Sequence, residues 1–103
     1  MSHQSVEISF PSYNTVRATI TLLDLDDVPI VIGVTWAIKI IQPDGTQKGA
    51  DITVVSNDGL GVYHHDFVID IDDPEGVWQH DCRLIYLLNP SREITLFNVK
   101  DAE

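Results

Sequence analysis

Apolar and polar residues alternate with a period of two along most of this chain. That period belongs to β-strands, whose successive side chains point to opposite faces. In Val34–Ile41, for example, Val34, Trp36, Ile38 and Ile40 fall on one side, with Thr35 and Lys39 on the other. No window carries a capped apolar stripe of helical period. The runs predicted as strands are Val6–Phe10, Thr15–Leu23, Val34–Ile41, Asp51–Ser56, Gly61–Ile69, Val77–Leu87 and Glu93–Val99. Between them stand Pro11-Ser12-Tyr13-Asn14, Asp24 to Pro29, Pro43-Asp44-Gly45, Asn57-Asp58-Gly59, Asp70 to Gly76 and Asn89-Pro90-Ser91. These are turn formers for different reasons: Pro presets φ, Asp bonds to nearby backbone, and Gly accepts positive φ. Strands this short and this regularly punctuated predict an all-β fold, an immunoglobulin-like antiparallel β-sandwich of about seven strands. Residues 1–103 are predicted to form one domain.

Composition supports that class and narrows the function. The 103 residues are 44% hydrophobic and 21% charged, enough apolar content for a core without a metal or disulfide. Val, Ile and Thr fill the apolar runs, as suits a pleated sheet. The net charge of −10 is spread over turns and strand faces. That field repels nucleic-acid phosphates and anionic lipid, so neither a nucleic acid nor a membrane is expected as a partner. A single cysteine, Cys82, excludes an internal disulfide. The opening MSHQSVEISF has no basic and apolar leader pattern, and the Pro29–Val34 run is far too short to cross a bilayer. These features predict a soluble protein of the cytoplasm or of an assembly built there.

The richest stretch for chemistry is GVYHHDFVIDIDDPEGVWQHDCRL, residues 61–84. Alternation puts Tyr63, His65, Phe67 and Ile69 on one face and His64, Asp66 and Val68 on the other, so His64 and His65 cannot share an ion. In the next strand Trp78, His80, Cys82 and Leu84 face inward, and Gln79, Asp81 and Arg83 face water. If the two strands lie in opposite sheets, His65, His80 and Cys82 converge across the core. Two imidazoles and a thiolate suit a transition metal, but their spacing fits no compact zinc motif, and buried structural His and Cys explain them as well. The acidic loops Asp24 to Asp27 and Asp70 to Glu75 offer oxygens for calcium. The denser one, with Asp70, Asp72, Asp73 and Glu75, is the better candidate, against a reading as solvated turns. No nucleophile elbow or oxyanion loop is present, and a thiol buried in an electronegative chain is unreactive. No catalytic residues, enzymatic activity or cofactor are therefore expected.

Three segments together carry a resemblance: QPDGTQ (42–47), DGLGVYHHDFVIDIDDPEGVW (58–78) and LFNV (96–99). A P-D-G-T hairpin, then D-G-x-G-x-Y, an apolar strand, a P-x-G-x-W entry and a closing F-x-V strand resemble an Ig-like domain pattern of tailed-bacteriophage virion proteins. The likeness spans roughly residues 15–99. His80 departs from it, standing where such domains often carry an aromatic. The resemblance implies a virion structural protein, most simply a capsid decoration or cement subunit held in many copies against the major capsid protein. A neck, tail or baseplate component and a carbohydrate- or cell-surface-binding module stand as alternatives. Loop residues Tyr13, Asn14, Val28, Ile30, Asn89 and Arg92 are the expected partner contacts.

Overall fold

The computed structural model describes residues 2–12 and 14–100 of the chain. Seven strands form: β1 (Ser2–Ser12), β2 (Thr15–Asp24), β3 (Val34–Ile41), β4 (Ser56–Gly59), β5 (Val62–Val68), β6 (Gly76–Tyr86) and β7 (Asn89–Val99). They pair as two antiparallel sheets in the orders β1-β2-β5-β4 and β3-β6-β7. Four strands against three, in those orders, is the immunoglobulin constant-type arrangement.

The inward sides of both sheets make one core. Val16, Ala18, Ile20 and Leu22 of β2 and Tyr63 of β5 face Trp36, Ile38 and Ile40 of β3, Trp78, Cys82 and Leu84 of β6, and Phe97 and Val99 of β7. Strict alternation in β2 and β3 produces this burial directly. Trp36 meets Tyr63 edge-on across the sheets at 5.1 Å. The Tyr63 hydroxyl donates to the Ile30 carbonyl at 2.7 Å, anchoring the β2–β3 loop from inside.

The structure departs from the sequence expectation at three turns. The strand expected over Asp51–Ser56 does not form across 51–55: only Ile52 bridges, exchanging both backbone bonds with Ile38 at the free edge of β3. The fourth strand lies later, at Ser56–Gly59, and so includes the Asn57-Asp58-Gly59 predicted as a turn. The reversal instead uses Gly59, Leu60 and Gly61, all at positive φ. Gly61 is required there, because a Cβ would stand 2.8 Å from the Leu22 carbonyl oxygen and 2.9 Å from Pro29 Cβ. Asn89-Pro90-Ser91 does not break the chain either. It opens β7, an edge strand that tolerates Pro, and Leu87-Leu88 make the two-residue turn from β6.

Strand directions sort the loops into two ends. The β2–β3 loop (25–33), the 59–61 turn and the 87–88 turn share one end, since Thr21 pairs with Val62 and Val34 with Tyr86. The 42–55 segment, the 69–75 loop and the close of β7 lie at or towards the other, where Asn14 accepts from the Ile69 amide.

Candidate functional site

The β5–β6 stretch brings His65 and His80 together. β5 belongs to one sheet and β6 to the other, and their inward faces place the two Nε2 atoms 2.7 Å apart, with the rings stacked at 5.0 Å. His65 is 7% exposed and His80 is fully buried. Burial is the first cause that pushes each imidazole down to about 4, so both rings are neutral at pH 7. One Nε2–H then donates to the other Nε2 lone pair. That single shared proton leaves one Nδ1–H and one Nδ1 lone pair, and neither Nδ1 has a partner. Cys82 is fully buried beside them in sequence, and burial pushes its thiol up to about 12, with Asp81 and Glu93 adding to the rise. A thiol held protonated is a poor metal ligand, and the imidazole nitrogens already occupy each other. Among the described residues, no group of three or more His, Cys, Asp or Glu side chains is arranged to hold a metal ion.

The acidic 70–75 loop is committed to structure. Lys48 Nζ reaches Asp73 at 2.7 Å and Asp70 at 3.2 Å. Asp73 also accepts from the Asp70 amide, and Trp78 Nε1 donates to the Pro74 carbonyl at 2.9 Å. Lysine thus stands where a calcium ion would need carboxylate oxygens. Asp72 and Glu75 are exposed and take no part in this lock. A cavity of about 720 Å³ opens beside the loop, lined by Phe10, Val16, Ile69, Ile71 and Val99 with Asp73 and Glu75.

Of the expected partner contacts, Val28, Asn89, Arg92 and Asn14 are exposed. Ile30 is not: its amide donates to the Leu22 carbonyl, which turns the side chain into the core. Tyr13 lies outside the described residues. Asp81, expected to face water, sits on the outer face of its sheet but is 3% exposed. Arg83 and Arg92 cover it, each guanidinium reaching its carboxylate at 2.9–3.2 Å.

Apart from Val28, sequence reasoning missed a feature that dominates one end of the sandwich. Leu25, Val28, Val31, Ile32, Leu60, Leu87 and Leu88 are all exposed there. Among the described residues, every non-glycine with a left-handed backbone is at this end too: Asp27, Leu60, Leu87 and Leu88, with φ of 61°, 55°, 50° and 65°. Asp tolerates this region, but Leu does not. Two successive positive φ values make Leu87-Leu88 a type I′ hairpin turn, a place normally held by Asn-Gly. Leu87 is 71% and Leu88 94% exposed, so neither gains burial from the fold. The signal was present in the sequence as YLLN between two strands, hidden because Asn-Pro-Ser next to it is the more conventional turn.

No protein-family model matches the chain, and no curated protein is found to resemble it.

Proposed function

We propose that the chain is a non-enzymatic structural subunit of a tailed-phage virion, a capsid decoration or cement protein that adheres through its aliphatic loop end. One observation carries the adhesive part of this reading. Three leucines in left-handed backbone are held out into solvent, an arrangement that costs the isolated fold energy and returns none until a partner covers them. The seven aliphatic side chains come from three separate loops on a rigid sandwich, so they form a broad contact and not a pocket for a small ligand. Burying each side chain contributes on the order of 1 kcal/mol or more, before the cost of association. Repetition over a symmetric shell would convert modest single contacts into firm attachment. The virion assignment rests on the resemblance of segments 42–47, 58–78 and 96–99, and the acidic surface suits the outside of a shell, away from packaged genome.

A glycan-binding role would need aromatic rings presented for stacking. Trp36, Trp78, Tyr63 and Phe97 are instead spent on the core, and among the described residues Phe10 is the one aromatic more than half exposed, too few for a stacking platform.

The test is co-sedimentation of purified protein with capsid particles lacking it, beside separate neck-tail and baseplate preparations. Saturable binding to capsids, abolished by Leu87→Asn with Leu88→Gly, is the expected result. Binding confined to neck, tail or baseplate particles would move the subunit within the virion, and binding to none would overturn the proposal.

A further inference from the structure

Two open sheets leave four edge strands, β1, β4, β3 and β7, and an edge presents a row of unpaired backbone groups that can template another strand. Three of the four are blunted. β1 shifts register between Ser9 and Ser12, carries Pro11, and turns Ser5, Glu7 and Ser9 outward. β3 is covered by the segment that follows it: Ile52 exchanges both backbone bonds with Ile38, and the Lys48 amide donates to the Ile40 carbonyl. β4 is four residues long and shifts register between Asn57 and Gly59. β7 differs. It pairs with β6 from Asn89 to Val99 without a shift, its proline stands at the second position, and its edge-facing charge, Arg92, is folded onto Asp81.

The 87–88 turn fixes which β7 groups are free. Tyr86 and Asn89 close that two-residue turn as a hydrogen-bonded pair, so Ser91, Glu93, Thr95, Phe97 and Val99 spend their backbone groups on β6. The amides and carbonyls of Arg92, Ile94, Leu96 and Asn98 point the other way. Among the described residues no other backbone group reaches them. All four residues are exposed, and Ile94 and Leu96 set aliphatic side chains beside the open ladder. From this we infer that the free edge of β7 takes up an extended segment of another protein, which joins the β3-β6-β7 sheet as its fourth strand. The inference is independent of what the loop end binds.

The edge also states what that segment must be. Amides and carbonyls repeating every second residue, about 7 Å, are the complement of another extended backbone. Pro90 has no N–H, so the full ladder runs from Arg92 to Asn98 and sets the length of the added strand. Aliphatic side chains placed opposite Ile94 and Leu96 gain burial there. Charge makes the segment basic. The Arg92 guanidinium already bonds Asp81 at 3.0 Å through both its Nε and an Nη, which leaves exposed Glu93 as the β7 charge that a newcomer meets, in a chain bearing −10. A lysine or arginine opposite Glu93 answers it. The same field disfavours a second copy, which would bring another −10 to the edge.

The test is an NMR titration of the isotope-labelled full chain with a blocked peptide as long as the Arg92–Asn98 ladder. Read antiparallel to β7, the peptide carries valine opposite Ile94 and Leu96, lysine opposite Glu93, and threonine elsewhere. Saturable shifts and slowed hydrogen exchange are expected at the amides of Arg92, Ile94, Leu96 and Asn98, while those of Glu93, Thr95 and Phe97, already bonded to β6, exchange as before. N-methylating the two valines removes peptide N–H groups that face β7 and should weaken binding by about tenfold or more. Glutamate in place of the lysine should weaken it as well. Ile94→Pro deletes an edge N–H without breaking a bond to β6, so it should keep the wild-type circular-dichroism spectrum and lose the peptide, whereas Ile94→Val keeps both. If Ile94→Pro does not fold, the N-methylated peptide decides on the unaltered chain. No response at the four edge amides, equal binding of the N-methylated or glutamate peptide, equal binding by a folded Ile94→Pro chain, or edge amides already protected by pairing of two wild-type chains would each overturn the proposal.

Discussion

Replacing Leu87 with Asn and Leu88 with Gly should make the protein more stable and less able to bind. The two leucines occupy the central positions of a type I′ turn with φ of 50° and 65°. A left-handed L-residue costs roughly 1–2 kcal/mol, so the pair holds about 2–4 kcal/mol of strain. Their exposures of 71% and 94% mean that little burial is lost on substitution. The Asn89 side-chain amide bonds to the carbonyl of residue 87, a backbone group that survives the change. Glycine adds freedom to the unfolded chain and offsets roughly 0.5–1 kcal/mol of the gain. The net expectation is a stabilisation of about 1–3 kcal/mol. Each kcal/mol raises the melting temperature of a domain this size by about 4–8 °C.

Thermal and urea denaturation of wild type and double variant would give that difference, and capsid co-sedimentation of the same two preparations would give the binding change. A variant no more stable than wild type would mean that the turn is unstrained and that the argument from strain to function fails. A variant that is stabilised and still binds would show that the leucines are not the adhesive residues. Gain of stability coupled to loss of binding is the outcome expected from the proposed adhesive role, because backbone strain at an exposed site persists where it is part of a function.

Four further outcomes follow from the same geometry. Acid should weaken the fold through His65 and His80: their folded values near 4 lie below the unfolded value of 6.5. The unfolded chain therefore takes up protons that the folded chain refuses, and stability should fall by up to about 1.4 kcal/mol per pH unit for each ring as pH drops from about 6.5 to 4. Urea titrations at stepped pH would show this, and in a His65→Leu, His80→Phe chain the slope in that window should shrink to the carboxylate contribution. Asp81→Ala should cost about 1–2 kcal/mol in chemical denaturation, because it removes the charge-assisted hydrogen bonds of Arg83 and Arg92, whose half-exposed guanidinium groups then turn to water. Gly61→Ala should destabilise by more than about 1 kcal/mol in the same assay, since it adds left-handed strain to a 2.8 Å clash with the Leu22 carbonyl. Cys82 should react with an aromatic disulfide reagent only at the rate of unfolding, and rapid labelling of the native protein would contradict its burial and raised thiol value.

Fold legibility followed the reach of the physics involved. Alternation is local, and it located β3 residue for residue and six of the seven strands to within a few positions. It failed over 51–55 because Ile52 and Val55 pack on the core from an irregular segment whose only ladder contact is the Ile38–Ile52 bridge. Apolar spacing there reports burial without pairing. Period-two reasoning also put His65 and His80 on facing surfaces of the core, but their 2.7 Å contact depends on the register between sheets, which no single strand encodes. Asp81 shows the converse. Its outward orientation is local, while its burial needs Arg83 from its own strand and Arg92 from the next. The loop end was the least legible element, because gathering residues 25–32, 60 and 87–88 at one end is a property of the completed topology.

Several arrangements among the described residues cost stability, the orphaned Gln4 Oε1 among them, and three of them differ in what could compensate them. The two orphaned Nδ1 atoms lie inside the core, where no partner molecule can reach them, so their cost must be met by packing against Phe67 and by the shared Nε2 proton. The buried Asp81 is compensated on the spot by two arginines. Of these three, among the described residues, the left-handed leucines are the ones whose cost no contact offsets and whose side chains are largely open to another surface. An uncompensated cost at a solvent-facing site is the one kind that binding can repay. That difference in accessibility, and not the chemical richness of the His-His-Asp and His-Asp-Cys sequences, is what separates the aliphatic loop end proposed to bind from the structural core.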